Sequence, residues 1–264
     1  MNPKAAPIRL TRMQRYRKAK SMGRVRLITE GDSWFNYPAH GGIPGHERDI
    51  TEFLAGRHRY AVLGFEKFGA ELSDMVAQME FLPYLKKEKP RAVLFSGGGN
   101  DILGPPLKDL VLDRGSGKLE ESIDWDYLNG GVLPQVEKGY ETLLQMIDLQ
   151  RPGTPLITHG YAYAIPSNRP ARVFWVKVAG PWIKPTLVEK GIVKAAEQRQ
   201  IVVFLIDALN ECQQRMAAKH PGRFIHVDLR ELVTGSDWTD EIHLTPRGYR
   251  KAAAAIHNAI KALS

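Results

Sequence analysis

The chain reads as an α/β protein: a three-layer α/β/α sandwich built around a five-stranded parallel sheet. Two observations predict this. Short apolar runs alternate with longer stretches of helical periodicity along the chain. Each run is followed by a crossover long enough for a helix, which is the connection that parallel strands require. In order, the runs are 25–29, 60–65, 92–96, 155–159 and 201–206. Helical patterns cover 72–85, 133–149 and 182–199, and 208–218 is also helix-like. The last helix, 246–263, has a clear start. Thr245 suits the N-cap and Pro246 the first helical position. One further apolar run, 223–228, either adds a local strand or only approaches the sheet.

The length of 264 residues supports one sizeable domain with a full core. No repeats, low-complexity tracts or linkers divide it, so residues 25–264 read as a single domain preceded by a basic arm over 1–24. Two insertions interrupt the pattern. Residues 104–131 carry two prolines and Gly115-Ser116-Gly117, and 161–185 carry Tyr161, Tyr163, Phe174, Trp175 and Trp182. Both leave the C-terminal edge of the sheet, where open α/β folds bind ligands.

The net charge of +8 is local. Residues 1–26 contain nine cations and no acid, leaving 28 of the 37 cations against all 29 acids in the remainder. The basic stretch reads as a solvated N-terminal arm. Leu10, Met13 and Tyr16 also recur at a spacing of three, which fits a short amphipathic helix able to dock on anionic lipid, nucleic acid or a partner. No apolar run has the length of a membrane span. The first residues lack the apolar core of a secretory signal, so the expected compartment is the cytoplasm, with specialised secretion left open. The single cysteine, Cys212, reads as a packed thiol.

Four short motifs fall just after strands or before the last helix. Gly31-Asp32-Ser33-Trp34 follows the first run, Phe68-Gly69-Ala70 the second and Gly98-Gly99-Asn100-Asp101 the third. Asp240-Glu241-Ile242-His243 precedes the final helix. Serine ending a strand can be exposed yet rigidly held, as a nucleophile must be. A serine hydroxyl needs a base, and histidine has a suitable pKa. An Asp three residues before that His can fix its tautomer from the same loop.

This ordered set resembles the SGNH hydrolases, also called the GDSL esterase/lipase family, over residues 25–263. Trp34 departs from the Leu that many members carry there. The resemblance implies a flavodoxin-like strand order, 2-1-3-4-5, which periodicity alone leaves open. It also implies Ser33 as nucleophile, His243 as base and Asp240 as its orienting acid, with an oxyanion hole from Ser33, Gly69 and Asn100. The implied activity is hydrolysis of a carboxylic ester, of lipid or acyl type, through an acyl-enzyme.

Other readings stay open. The substrate could be a carbohydrate or cell-wall O-acetyl ester, with the aromatic residues of 161–185 stacking on sugars. In a different class, the fold could serve a non-catalytic binding protein whose basic arm contacts anionic lipid or nucleic acid. Trp34, His159, Tyr161 and Trp175 are candidates for substrate contact, though His159 fits a structural role better. Asp32 reads as a brace for the turn, and Asp101 as a structural cap or turn stabiliser. His40 and His46 match no metal motif, and Gly97-Gly98-Gly99-Asn100 lacks the frame of a phosphate-binding loop. No metal or organic cofactor is called for.

Overall fold

The computed structural model describes residues 5–37, 49–113, 117–173 and 176–263. Its centre is a five-stranded, all-parallel sheet of β1 (Arg26–Gly31), β2 (Ala61–Gly64), β3 (Ala92–Ser96), β4 (Leu156–His159) and β5 (Phe224–Val227). The strand order is β2-β1-β3-β4-β5, the 2-1-3-4-5 arrangement expected from the resemblance. β3 is buried at every position, as befits a strand covered on both faces.

Nine helices of the described residues frame the sheet: α1 (Ala5–Ser21), α2 (Ile50–Gly56), α3 (Leu72–Gln78), α4 (Leu82–Glu88), α5 (Gly99–Leu103), α6 (Leu133–Gln150), α7 (Ile183–Glu189), α8 (Ala195–Lys219) and α9 (Pro246–Lys261). α2 and α9 pack together on one face, and α3, α4, α6 and α8 cover the other. Within residues 104–131 the short helices Leu107–Leu110, Leu119–Ser122 and Trp125–Tyr127 follow one another, and a single bridge pairs Val111 with Ile123. A small antiparallel strand pair, Ala171–Val173 with Val176–Ala179, lies in the second insertion. No described helix is long and apolar enough to cross a membrane.

The fifth strand is a correction to the sequence reading. Residues 201–206 (Ile-Val-Val-Phe-Leu-Ile) form the middle of α8, not a strand. The buried positions Ile201, Val202, Leu205, Ile206, Leu209, Cys212 and Met216 trace one helical face. The flanks, from Ala195 to Lys219, contain no Gly or Pro to stop the helix. The strand comes instead from the weaker run, Phe224–Val227, after a turn with Gly222 at φ +71°. Two expected helices are also divided. The 72–85 pattern breaks where Met79 turns left-handed (φ 36°) ahead of α4, and 182–199 breaks at Gly191 (φ 79°). α9 starts as expected, with Thr245 Oγ accepting from the Gly248 N–H at 3.3 Å. Cys212 is buried, and burial first of all pushes its thiol up to about 11.

The basic arm also differs from the solvated reading. α1 lies against β2, the strand at one edge of the sheet, and so covers an edge that would otherwise face water. Tyr16 and Ala19 are buried. Tyr16 and Lys20 both bond Glu88 at the end of α4, and Arg15 pairs with Glu52 of α2 at 3.2 Å. Three of its cations, Arg12, Arg15 and Lys20, thus meet acids of the body.

Glu30, on β1, is only 3 % exposed. Burial pushes its carboxyl up to about 9, helped by Glu66 and Glu80 and opposed by Lys67. Between its ordinary value of 4.5 and about 9, the unfolded chain has released this proton and the folded chain has not. Its contribution to stability therefore falls as pH rises through that window. Glu30→Gln should melt several degrees above the parent at pH 8 and together with it near pH 4, measured by thermal unfolding across that range.

Candidate active site

The site is built at the C-terminal ends of β1 and β3. β1 ends at Gly31, where a Cβ would lie 2.7 Å from Ser96 Cβ and 2.8 Å from Ser96 O. Only glycine allows the two strand ends to approach this closely. The chain then turns sharply, with the N–H groups of Phe35 and Asn36 both bonding Asp32 O. Ser33 sits in this turn.

His243 comes from a loop 210 residues away in sequence, and its Nε2 lies 2.9 Å from Ser33 Oγ. Its Nδ1 faces both oxygens of Asp240, at 3.0 and 2.9 Å. The loop is locally determined. An isolated bridge pairs Trp238 with Leu244, and the Thr239 N–H donates to His243 O at 2.9 Å. Asp240 Oδ1 accepts the N–H groups of Ile242 (2.9 Å) and His243 (2.8 Å), the bonding habit that suits Asp to tight turns. Tyr37 donates its hydroxyl to Asp240 Oδ2 at 3.1 Å. Burial acts to raise the Asp240 carboxyl. The His243 hydrogen bond and charge, with the two backbone N–H groups, outweigh it and hold Asp240 below the ordinary carboxylate range. Aromatic rings enclose the imidazole: Tyr37 at 4.4 Å, Phe68 stacked at 5.7 Å and Trp182 edge-on at 5.4 Å between centroids.

Asn100 stands in the first turn of α5 and lines the same cleft as Ser33. One of its two amide hydrogens goes to Ala70 O at 2.9 Å, which ties the carboxamide to the loop holding Gly69 and leaves a second hydrogen for another acceptor. Gly69 has φ +74°, a conformation suited to glycine, and the space where a Cβ would project is open. It is not part of the cleft lining. It follows Phe68, whose ring lies over His243. Asp101 accepts the Leu72 N–H at 3.1 Å and so caps the start of α3, as expected.

A second buried network lies behind the turn. Ser96 Oγ donates to Asp32 Oδ1 at 2.7 Å, His159 Nε2 lies 3.0 Å from the same hydroxyl, and Tyr161 donates to Asp32 Oδ2. Asp32 Oδ1 also accepts the Trp34 N–H at 2.9 Å. Although it contains a Ser, a His and an Asp, its connectivity is not that of a catalytic triad. The carboxylate bonds the serine, while His159 Nδ1 is 3.4 Å from Gly160 O. Ser96 and His159 are completely buried, and burial lowers His159 to about 3, so the ring stays neutral. The network braces the Ser33 turn, which is the role the sequence assigns to Asp32.

Among the candidates for substrate contact, Trp34 and Tyr161 line the cleft. Trp34 is also anchored, through Nε1 donation to Ile242 O at 2.9 Å. His159 does not reach the cleft; it stacks beneath Trp34 at 5.3 Å. Trp175, His40 and His46 lie outside the described residues. No three His, Cys, Asp or Glu side chains converge as metal ligands among the described residues.

Glu241 carries no sequence signal beyond its place between Asp240 and His243. It is fully buried, and its carboxylate accepts the N–H groups of Ser167 (2.8 Å), Trp182, Ile183 (2.8 Å) and Lys184 (3.0 Å). One side chain thereby fastens the second insertion, and Trp182 with it, to the His243 loop.

No protein-family model and no curated protein matches the sequence. Solved structures do. An extracellular lipase from Streptomyces rimosus superposes with a TM-score of 0.58 at 16% identity, covering 89% of this chain and 99% of its own. Phospholipase A1 from Streptomyces albidoflavus NA297 gives 0.57 at 14% identity, with 89% and 99% covered. TesA gives 0.51 at 19% identity, with 90% and 99% covered. The chain has the SGNH-hydrolase fold.

Hydrogen bonds to a charged group contribute roughly 1.5–3 kcal/mol each. Glu241→Gln, which turns an acceptor oxygen into a donor facing backbone N–H groups, should cost about 2 kcal/mol or more in chemical denaturation. Limited proteolysis should become faster within residues 166–184.

Proposed function

We propose that the protein is a serine esterase that hydrolyses a carboxylic ester through an acyl-enzyme, with Ser33 as nucleophile, His243 as base and Asp240 as the group that orients the base. The observation that carries this reading is the continuous line Ser33 Oγ–His243 Nε2, His243 Nδ1–Asp240, with both histidine nitrogens at hydrogen-bonding distance. Ionised Asp240 accepts Nδ1–H and leaves Nε2 free to take the Ser33 proton. Attack of Ser33 Oγ on the ester carbon then forms a tetrahedral intermediate. Its oxyanion would be met by the Ser33 and Gly69 N–H groups and by the second amide hydrogen of Asn100. Collapse breaks the bond to the alcohol, which takes its proton from His243 Nε2. Water then attacks the acyl carbon as His243 Nε2 takes its proton. The second tetrahedral intermediate breaks the bond between the acyl carbon and Ser33 Oγ, Ser33 Oγ recovers the proton from His243, and the carboxylic acid leaves.

The cleft beside Ser33 favours a short acyl group. Its volume is about 30 Å³, and Trp34, Leu103, Tyr161, Ile206, Trp238 and Ile242 wall it with apolar surface. So small a space suits the methyl of an acetyl group, and a longer chain would extend past these walls. Among the substrate classes open from sequence, this supports acetyl-sized esters over long-chain lipids.

A fluorophosphonate probe should label the parent at Ser33 and fail on Ser33→Ala, whereas Ser96→Ala should still be labelled. Labelling of Ser33→Ala at the parental rate would refute the assignment. Asp240→Asn should lower kcat by roughly 10⁴ through the wrong imidazole tautomer. On p-nitrophenyl esters of increasing acyl length, kcat/KM should peak at acetyl or propionyl. A maximum at octanoyl or beyond would reject the short-acyl reading alone.

A further inference from the structure

We propose that Arg12 of the basic helix α1 is a positioning residue for the Ser33 turn, so that the N-terminal helix is a working part of the site and not an appended tail. This rests on the assignment of Ser33 made above.

The Arg12 guanidinium reaches three places at once. Nη1 donates to Phe35 O at 3.0 Å and to Glu66 Oε2 at 3.2 Å, and Nη2 donates to Asp49 Oδ2 at 2.7 Å. Each partner is tied to the turn that carries Ser33. Phe35 is its next residue but one, and the Phe35 N–H closes the turn on Asp32 O. Asp49 caps α2 through the Glu52 N–H at 3.0 Å and accepts the Thr51 hydroxyl at 2.8 Å, while that hydroxyl also lies 3.1 Å from Phe35 O. The next residue, Ile50, donates its N–H to Trp34 O at 3.3 Å. Glu66 bonds Thr29 on β1, and its carbonyl accepts Asn36 Nδ2 at 3.2 Å. One cation thus joins the end of β1, the nucleophile turn and the start of α2.

The electrostatics make the arrangement demanding. The side chains of Asp49 and Glu66 are 0 % and 2 % exposed, and that of Arg12 is 14 % exposed. Removing the cation would leave two buried carboxylates without their shared donor. A proton taken up by one of them relieves the repulsion, but neither that nor a shift of the segments restores the bond to Phe35 O that Arg12 supplies. A planar fork serves three acceptors in different directions; a lysine ammonium in the same place is a point charge and cannot reproduce that geometry. Because Phe35 is two residues from Ser33, displacement there changes the angle of attack, and misplacement on the order of 1 Å can cost about 100-fold in rate.

The test uses the full chain with Arg12→Met, Arg12→Lys and the exposed α1 control Arg17→Ser. Arg12→Met should lower kcat for p-nitrophenyl acetate and the rate of fluorophosphonate labelling roughly 10- to 100-fold, with KM within about twofold of the parent. Arg12→Lys should recover only part of the loss, and Arg17→Ser should match the parent. Should Arg12→Met not fold, Arg12→Lys carries the test alone, with a kcat at least several-fold below the parent. Hydrogen exchange reads the clamp without any ester: amides at 35–36 and 50–53 should exchange faster in the Arg12 variants than in Arg17→Ser. Parental kcat in a folded Arg12 variant, or unchanged exchange at those amides, overturns the proposal. Failure of the Ser33 assignment shows elsewhere, in labelling of the Ser33→Ala control.

Discussion

Rigidity of the turn after β1 depends on one buried carboxylate. Asp32 accepts the Trp34 N–H, the Ser96 hydroxyl and the Tyr161 hydroxyl, and its own carbonyl receives two further N–H groups. These bonds come from β3, from the segment after β4 and from the turn itself. A serine held this way keeps its hydroxyl aimed at His243 without support from its own side chain, which the proposed reaction requires to be free. The neutral His159 and the ring of Trp34 pack behind it, so the polar network is buried, where each bond is stronger than in water.

The second half of the site is held by a different device. The Asp240–His243 loop is short enough that Asp240 both caps its own backbone and meets the imidazole. Between them Glu241 points the other way, into the N–H groups of the second insertion. Residues of one four-residue stretch therefore serve both the proposed chemistry and the attachment of the surrounding wall. Trp182 and Phe68 approach His243 from separate segments, so the imidazole is enclosed by parts of the chain that meet only here.

Two buried Ser-His-Asp sets within one site show why connectivity matters more than composition. In one, the carboxylate faces the histidine and the histidine faces the serine. In the other, the serine stands between the carboxylate and a neutral, fully buried histidine. Only the first order lets a base receive a proton from a hydroxyl and share the resulting charge with an acid.

Much of this was legible in the chain. The α/β class followed from alternating apolar and helical patterns, and the motifs around Ser33, Asn100 and His243 were visible because each is contiguous and adjoins a strand or helix end. Asp240 and His243 stand at a three-residue interval that can close on one short loop, and the family resemblance is what pairs them. Tertiary structure decided the rest. Residues 201–206 look like a strand in isolation and are helical because 25 residues around them share one buried face, leaving the edge position to Phe224–Val227. The burial of His159, the anchoring role of Glu241 and the docking of Arg12 are long-range facts, with partners 63, 57 to 74 and 23 to 54 residues away. A charge run in sequence says only that cations are present. Which of them faces water and which neutralises a buried acid is fixed by the packing of elements that the run itself does not encode.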